Sequence, residues 1–456
     1  MRKPDTKKRL SKIKTGRIER QWSVAKAGIT AGTSAATQMW GSAFLGKEKR
    51  QARNKRILSE QAQYLADELG KLKGSVVKVG QIMALYGEHI LPEEVTNALR
   101  TLEEQTIALD WPVIEKALQT ELGESFSDFV IEQQPIGAAS LAQVHKAVHK
   151  PTGESVCLKV QYPGVAEAID SDLNSVVRLL KLSRLVTSGN EFQAWIDELR
   201  QLLHYEVDYH REAAMTMKFV ERLGTDNTFR VPQIYAQYCT SKLLVSSFEA
   251  GFAVNDPAVQ ALPQVERNRL GCAFLQLFVH EVFDWGELQT DPNFGNYRIQ
   301  MTEAGRARIV LLDFGAVLSY SEDFLGPLKA MILGACQHDY PRVRAGAIAL
   351  GMMKEEYPEE VHRDFAALCS LLVEPFVFDV QSMPAEALNS EGQYRWANSR
   401  LPKRAAKKAA TSAMSKYFAV PPKEFAFLSR KLLGVYSFIA ALEAEFNPDQ
   451  MLVEYY

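Results

Sequence analysis

The chain has 456 residues, of which 46% are hydrophobic and 24% are charged, and its formal net charge is −2. This length and composition are typical of a soluble globular protein with two or three domains and large cores. The five cysteines are scattered and form no C-x-x-C pair. They indicate a reducing compartment and argue against a disulfide framework or a zinc site.

Charge is unevenly distributed along the chain. Residues 1–56 contain 16 Lys or Arg against 3 Asp or Glu, a local charge of +13, so the rest of the chain carries −15. From charge alone, such a basic segment is a solvated tail or binds an anionic partner, either a membrane surface or a nucleic acid. We expect residues 1–53 to be partly disordered or to form an interfacial segment. No signal peptide is visible, and residues 21–46 are too polar for a convincing membrane span.

A helical extension is predicted next, over residues 54–125. Apolar residues recur near helical spacing between Asn54 and Glu88. A second helix should begin at Leu91 and Pro92, where two glutamates follow in the first turn. A third helix is predicted through residues 113–122, and Gly123 marks its end.

The pattern then changes to short strands, which predicts a mostly antiparallel β lobe over residues 126–250. The turn around Pro151 separates two of these strands. The predicted strands are 129–131, 142–148, 155–160, 231–235 and 242–245, and a helix is predicted over 195–222. From residue 251 onward we expect a mostly helical lobe.

Two motifs in the second half match the layout of phosphoryl-transfer enzymes. Residues 289–296 read Q-T-D-P-N-F-G-N, and residues 313–315 read D-F-G, so Asp313 follows Asp291 by 22 positions. In kinases, the first aspartate orients the attacking hydroxyl, while the asparagine and the second aspartate hold Mg²⁺. We therefore predict that Asp291 is catalytic and that Asn296 and Asp313 bind the metal.

Lys159 ends a Val-x-Leu-Lys strand, the place where a kinase carries the lysine that holds the α- and β-phosphates. Its partner should be a carboxylate on the following helix, and Glu206, Asp208 and Glu212 are all candidates. Glu206 and Asp208 cannot share one helical face, so one carboxylate should pair with Lys159 while another serves a different cation.

The loop that should cover the phosphates is rich in alanine. A protein kinase carries G-x-G-x-x-G here, whereas this chain has a single glycine, in Gly137-Ala138-Ala139-Ser140. Backbone N–H groups can still meet phosphates, but alanine restricts positive φ, so we expect a stiffer loop. The Ser140 hydroxyl can add a further contact.

Together these segments resemble the UbiB/AarF family of atypical kinases, and in particular its branch that supports ubiquinone (coenzyme Q) biosynthesis. Lys78-Val79-Gly80-Gln81 is similar to that family's K-x-G-Q signature, and Glu206-Val207-Asp208 to its E-x-D motif. The catalytic segment has the Q-T-D-P-N-F-G-N form of the coenzyme-Q kinases rather than H-A-D-P-H-P-G-N. The resemblance covers roughly residues 60–445.

The resemblance implies an α+β, protein-kinase-like fold with two lobes, an antiparallel β N-lobe and a helical C-lobe, preceded by the K-x-G-Q extension. It implies that Lys159 pairs with Glu212 and that Lys78 reaches toward Glu206, with Gln81 and Asp208 also at the nucleotide. The implied cofactors are ATP (or ADP) and Mg²⁺. Gly137 replaces the first alanine of the family's A-A-A-S loop, a change that can alter the preference between ATP and ADP.

The function expected from these features is an ATP-binding, Mg²⁺-dependent kinase or ATPase for ubiquinone synthesis at a membrane surface. Nothing after residue 315 resembles an activation segment, which counts against protein substrates. Two alternatives stay open, a nucleotide-gated scaffold for a lipid-modifying complex and a small-molecule phosphotransferase. The expected partners are an anionic membrane and quinone-biosynthesis proteins or lipid, and no nucleic acid. A cytoplasmic location at the inner membrane is expected, and a homodimer is left open.

Overall fold

A computed structural model describes residues 56–64, 66–67, 69, 75–87, 91–101, 108–182, 185–186, 189–302, 305–377, 383–413, 417 and 422–456. The predicted basic segment, residues 1–53, lies outside the described residues. The chain divides into two compact units, the first formed by residues 1–214 and 233–248 and the second by residues 215–232 and 249–456. None of the helices in the described ranges is long and apolar enough to cross a membrane.

The first unit combines helices of the extension with one antiparallel sheet. Its order is α1 (Ser75–Tyr86), α2 (Glu93–Arg100), α3 (Trp111–Leu122), β1 (Phe129–Ala138), β2 (Ala142–His149), β3 (Glu154–Gln161), α4 (Val165–Leu182), α5 (Asn190–Glu206), the first part of α6 (Tyr209–Leu223) and β5 (Leu243–Ser247). The strands are ordered β1-β2-β3-β5, and each neighbouring pair is antiparallel. Residues 56–64 are also helical.

Local sequence signals account for the bounds of the first elements. Pro92 immediately precedes α2, and Glu93 and Glu94 occupy its first turn, as predicted. Helix α3 ends at Gly123, whose φ of 55° suits glycine. The three predicted strands of the β1-β2-β3 sheet are confirmed, and each is longer in the structure than predicted.

The predicted helix over residues 195–222 is wrong, because the structure has two helices there. Helix α5 ends at Glu206, and α6 begins at Tyr209. The carboxylate of Asp208 accepts the backbone N–H of Arg211 at 3.1 Å, an N-terminal capping contact that starts a new helix. Helix α4, over Val165–Leu182, was not predicted at all.

The strand predicted over residues 231–235 is also wrong. Only β4 (Phe229–Arg230) forms. It pairs in parallel with β8 (Ala307–Leu311), and both strands belong to the second unit. Ile234 makes just an isolated bridge to Ser246. Pro232 lies between them and has no N–H to donate, which interrupts a strand ladder.

The second unit is mostly helical, with short strands around the two motifs. After the end of α6 and β4, its order is α7 (Pro257–Gln260), α8 (Gln264–His280), β6 (Glu287–Gln289), β7 (Tyr297–Met301), β8 (Ala307–Leu311), β9 (Val317–Ser319), α9 (Glu322–Cys336), α10 (Tyr340–Ala349), α11 (Glu359–Leu372), α12 (Trp396–Ser399), α13 (Leu401–Ala413) and α14 (Lys423–Ala441). Strand β8 lies between β4 and β7, while β6 pairs with β9. Each unit has its own buried apolar core.

Candidate active site

Lys159 lies in the middle of β3, which is flanked by β2 and β5. In register it is opposite Val144 on one side and Leu244 on the other. Its Nζ atom donates to both carboxylate oxygens of Glu212, at 2.6 and 2.9 Å. Glu212 is only 3% exposed, and the ring of Tyr209 lies 5.2 Å from the same Nζ. The expected ion pair is therefore present, and Glu212 is the carboxylate among the three candidates that makes it.

A second lysine–glutamate pair joins the extension to the end of α5. Lys78 Nζ lies 2.7 Å from Glu206 Oε1, and both side chains are largely shielded from solvent. Lys78 and Gln81 are three residues apart on α1, so they lie on neighbouring positions of one helical face. This arrangement agrees with the sequence-based expectation that separate carboxylates serve Lys159 and another cation.

The alanine-rich loop is the turn of the β1–β2 hairpin. Strand β1 continues to Ala138, and the N–H of Ala139 donates to the carbonyl of Ala142 at 2.7 Å, which closes the turn. Gly137 is paired with Val144, its φ is not positive, and a Cβ atom built there would meet nothing within 4 Å. The backbone would therefore accept alanine at position 137.

A chain of buried hydrogen bonds fixes this hairpin to the segment before α3. The N–H of Leu109 donates to Gln143 Oε1 at 2.9 Å, and Gln143 Nε2 lies 2.8 Å from His145 Nε2. His145 Nδ1 lies 2.8 Å from the carbonyl oxygen of Glu132. A carbonyl only accepts, so Nδ1 carries the proton and Nε2 accepts from Gln143. Burial lowers the pKa of His145, which agrees with a neutral ring.

The predicted catalytic loop, residues 289–296 (called the catalytic loop below), begins at the last residue of β6 and ends just before β7 in the second unit. Asn296 Nδ2 donates to Asp291 Oδ2 at 2.9 Å, and Arg430 of α14 lies 3.4 Å from Asp291 Oδ1. Asn293 accepts the N–H of Gly295 and so caps the short turn at residues 294–296. Because the Asn296 amide nitrogen faces Asp291, its amide oxygen is the atom left to coordinate a cation.

Asp313 follows β8 and is tied to the catalytic loop through the backbone. The N–H of Leu312 donates to the carbonyl of Asn296 at 2.9 Å, and Gln289 Nε2 donates to the carbonyl of Asp313 at 3.4 Å. The Asp313 carboxylate accepts the N–H of Gly315 at 2.9 Å. Asn296 and Asp313 thus supply an amide and a carboxylate oxygen from adjoining backbone, the ligand types that suit Mg²⁺ when substrate phosphates complete its shell.

A short strand and a helix follow directly after the Asp313-Phe314-Gly315 motif. Phe314 is 1% exposed and its ring packs 4.7 Å from that of Phe219. Strand β9 follows at Val317–Ser319 and pairs with β6, and α9 begins at Glu322. The absence of a long activation segment after residue 315, expected from the sequence, is confirmed in this part of the chain, which the structure describes fully.

Comparison with known proteins agrees with this arrangement. A family model described as the ABC1 atypical kinase-like domain matches residues 101–346. The chain belongs to the ABC1 family of atypical kinase-like proteins. The resemblance to UbiB/AarF kinases and the kinase-like α+β fold are thereby confirmed.

Several curated relatives of this ABC1-family chain are named atypical kinases. It is 30% identical to "Atypical kinase COQ8B, mitochondrial" of Rattus norvegicus, over 73% of this chain and 62% of the rat protein. It is also 30% identical to "Atypical kinase COQ8, mitochondrial" of Saccharomyces cerevisiae, over 83% of this chain and 74% of the yeast protein. The match to a coq-8 kinase of Caenorhabditis elegans covers 50% of that protein, so the chain spans half to three quarters of these relatives.

A solved structure shares the fold of this ABC1-family chain. It is the complex of Rv3197 with erythromycin from Mycobacterium tuberculosis, with a TM-score of 0.57 and 22% identity, covering 90% of this chain and 98% of the other. At this identity the likeness concerns the fold alone.

Residues of the last helix support the catalytic loop of this ABC1-family chain, and sequence reasoning did not find them. Besides Arg430, α14 brings Lys431 to 3.4 Å from Glu281, and both side chains are almost completely buried. Burial raises the pKa of Glu281, and Lys431 opposes that shift. A Cβ atom at Gly434 would lie 2.1 Å from Pro292 Cβ, so only glycine fits beside the loop. The one signal available was the pair Arg430-Lys431, which interrupts the apolar residues of α14.

Proposed function

We propose that the chain is an ATP-binding, Mg²⁺-dependent atypical kinase or ATPase that supports ubiquinone biosynthesis at a membrane surface. The observation that carries the proposal is the Lys159–Glu212 ion pair, with Nζ–O distances of 2.6 and 2.9 Å. A buried glutamate that fixes a partly exposed lysine in the middle of a strand is the arrangement with which kinases hold the nucleotide phosphates.

Each predicted site residue has a role in this proposal. Lys159 binds the α- and β-phosphates, and Glu212 holds Lys159 in place. Asn296 and Asp313 hold Mg²⁺, which supplies the neutralising charge on the phosphates. Asp291 orients the hydroxyl or water that accepts the phosphoryl group. The loop of Gly137, Ala138, Ala139 and Ser140 covers the phosphates, and Lys78, Gln81, Glu206 and Asp208 complete the nucleotide site.

Asp208 and Asp291 have structural contacts that narrow their roles. The Asp208 carboxylate already accepts the N–H of Arg211, so any nucleotide contact from Asp208 must use its remaining lone pairs. The Asp291 carboxylate accepts from Asn296 Nδ2 at 2.9 Å and lies 3.4 Å from Arg430, so these two contacts fix its orientation. In this proposal, the oriented carboxylate of Asp291 accepts the proton of the attacking hydroxyl.

The proposed acceptor is a small or lipid-like molecule rather than a protein. Support comes from the direct passage from Asp313 through β9 into α9, which leaves no segment to bind a peptide. The COQ8 relatives and the coenzyme-Q form of the catalytic loop favour a phenolic quinone precursor. The basic residues 1–56 favour an anionic membrane at which the enzyme would act as a peripheral protein.

ATP turnover in defined vesicles tests this function. It is measured with and without anionic liposomes and a phenolic quinone-precursor analogue, for the wild type and for Asp313→Asn. Turnover that is stimulated by these additions and lost in Asp313→Asn is the expected result. If the wild type binds nucleotide but its turnover does not exceed that of Asp313→Asn, the chain is instead a nucleotide-gated scaffold.

A further inference from the structure

A lysine buried inside the second unit lies directly beneath the catalytic loop. Lys431, in the middle of α14, is 2% exposed, and its Nζ lies 3.4 Å from the carboxylate of Glu281, which is fully buried. The rings of Phe274 and Tyr297 lie 5.9 Å from the same Nζ. The ammonium group is therefore held between an acid and two aromatic faces, away from water.

Stability does not explain this pair. Removing two charges from water is costly, and buried ion pairs are often no more stabilising than apolar side chains of the same size. An apolar pair at positions 281 and 431 would avoid the cost of burying two charges. A role beyond packing should therefore be visible in the other atoms that the two charges contact.

Those other contacts all lead to Gln289, the first residue of the catalytic loop. Lys431 Nζ lies 3.4 Å from Gln289 Oε1, and Tyr297 donates its hydroxyl to the same oxygen at 3.3 Å. Glu281 Oε1 accepts the backbone N–H of Gln289 at 3.1 Å. The ion pair thus holds both the backbone and the side chain of this residue.

The two charges also fix which way the Gln289 amide faces. An ammonium group has only donors, so it must face the amide oxygen. The amide nitrogen is then directed to the opposite side, where it donates to the carbonyl of Asp313 at 3.4 Å. A flipped amide would place its N–H atoms against Lys431 and its oxygen against the Asp313 carbonyl, so both contacts would become repulsive.

We propose that Lys431 and Glu281 are positioning residues, which orient Gln289 so that its amide holds the backbone of Asp313 in register with the catalytic loop. The inference rests on the proposed function, because it assigns a purpose to the alignment of Asp313 with Asp291. Lys431 and Gln289 are 142 residues apart in sequence, so in this proposal the catalytic loop depends on α14.

The test separates orientation from stability with three variants. Lys431→Met removes the cation while keeping an unbranched side chain of nearly the same length, and it leaves Glu281 without its cation. The double variant Lys431→Met with Glu281→Gln removes both charges. Lys423→Met is the control, since it makes the same substitution at an exposed lysine in the first turn of the same helix. Melting temperature, ATP turnover, the Mg²⁺ concentration for half-maximal turnover and hydrogen exchange of residues 311–317 are measured for each.

The expected result is that Lys431→Met lowers both the melting temperature and turnover. The double variant should recover the melting temperature, while its turnover stays about 10- to 100-fold low and its Mg²⁺ requirement stays raised, as when a residue behind a metal ligand is removed. Exchange of residues 311–317 should be faster in both variants and unchanged in Lys423→Met. Turnover that recovers together with the melting temperature would overturn the proposal.

Two further measurements keep the inference testable on its own. Gln289→Met keeps the ion pair and removes the amide. It should reproduce the loss of turnover even if the double variant folds poorly. Wild-type turnover in Gln289→Met would contradict the inference. If the wild type has no turnover at all, the proposed function fails, but hydrogen exchange still tests whether Lys431 and Glu281 position Gln289. Faster exchange of residues 311–317 in Lys431→Met and Gln289→Met then supports the positioning role, and unchanged exchange overturns it.

Discussion

Replacing Gly434 by alanine tests how closely the last helix supports the catalytic loop. The added Cβ atom would lie 2.1 Å from Cβ and 2.9 Å from Cγ of Pro292. Carbon atoms pack at roughly 3.5–4.0 Å, so α14 and the loop would have to separate by about 1.5 Å. Pro292 directly follows Asp291, so the displacement would be transmitted to the predicted catalytic residue.

The magnitudes favour a large loss of activity with a small loss of stability. Overpacking of this kind costs about 1–3 kcal/mol. Alanine is more favourable than glycine in a helix interior by about 1 kcal/mol, which offsets part of that cost. We expect the free energy of unfolding to fall by about 0–2 kcal/mol. Turnover should fall by about 100-fold, because a displacement of about 1 Å at a reacting group has an effect of that size.

Thermal or urea unfolding and ATP turnover, measured on the same preparations, check this expectation. The control is the double variant Gly434→Ala with Pro292→Gly, which removes both atoms that the new methyl group would meet. Its loss of stability should be smaller than the sum of the losses in the two single variants, as the coupling of contacting residues requires. Wild-type turnover in Gly434→Ala, or strict additivity in the double variant, would refute the reasoning.

Three further predictions concern the first unit. Gly137→Ala should raise the free energy of unfolding by about 0.4–1 kcal/mol, because φ is compatible and the methyl group meets no atom, and calorimetric titration with ATP and ADP should show a changed preference between them. Burial lowers the pKa of His145, so as pH falls the imidazole takes up a proton in the unfolded state before it does so in the folded state. The free energy of unfolding should therefore decline as pH falls below about 6.5, by up to about 1.4 kcal/mol per pH unit. Urea unfolding of His145→Gln should lack that part of the pH dependence, and an unchanged dependence would contradict the hydrogen-bond chain. Lys78→Ala removes the 2.7 Å contact to Glu206 and should weaken nucleotide binding, and an unchanged Kd would remove Lys78 and Glu206 from the proposed site.

Much of the fold could be predicted because its signals are local. The strands β1, β2 and β3 have alternating apolar residues and turn residues between them, and α2 has its proline and glutamates at the start. The incorrect predictions are those in which a capping contact or a long-range strand pairing overrode the local pattern. The helical periodicity through residues 195–222 did not reveal that Asp208 caps a second helix. The apolar residues near Pro232 could not show that β4 pairs with β8, within the second unit, rather than with β5.

The sequence by itself predicted the kinase-like chemistry proposed for this protein, because the motif residues lie at fixed spacings along the chain. Asp291, Asn296 and Asp313 lie within 23 residues of one another, counting both ends, and adjoining loops bring them together in the second unit. The family, the α+β class and the short connection after residue 315 followed from the same kind of local evidence.

Only the tertiary structure showed which side chains from distant parts of the sequence contact the predicted site residues in each unit. The residues alone left three carboxylates as partners for Lys159, and only the family resemblance favoured Glu212. In the structure, the break between α5 and α6 directs Glu212 to Lys159, 53 residues away. In the sequence, Lys431 is one of several charged residues of α14, and only packing shows that it is buried beside Glu281 and Gln289. A buried charge is tolerated only where its partners surround it, and those partners come from segments whose spacing in sequence carries no signal.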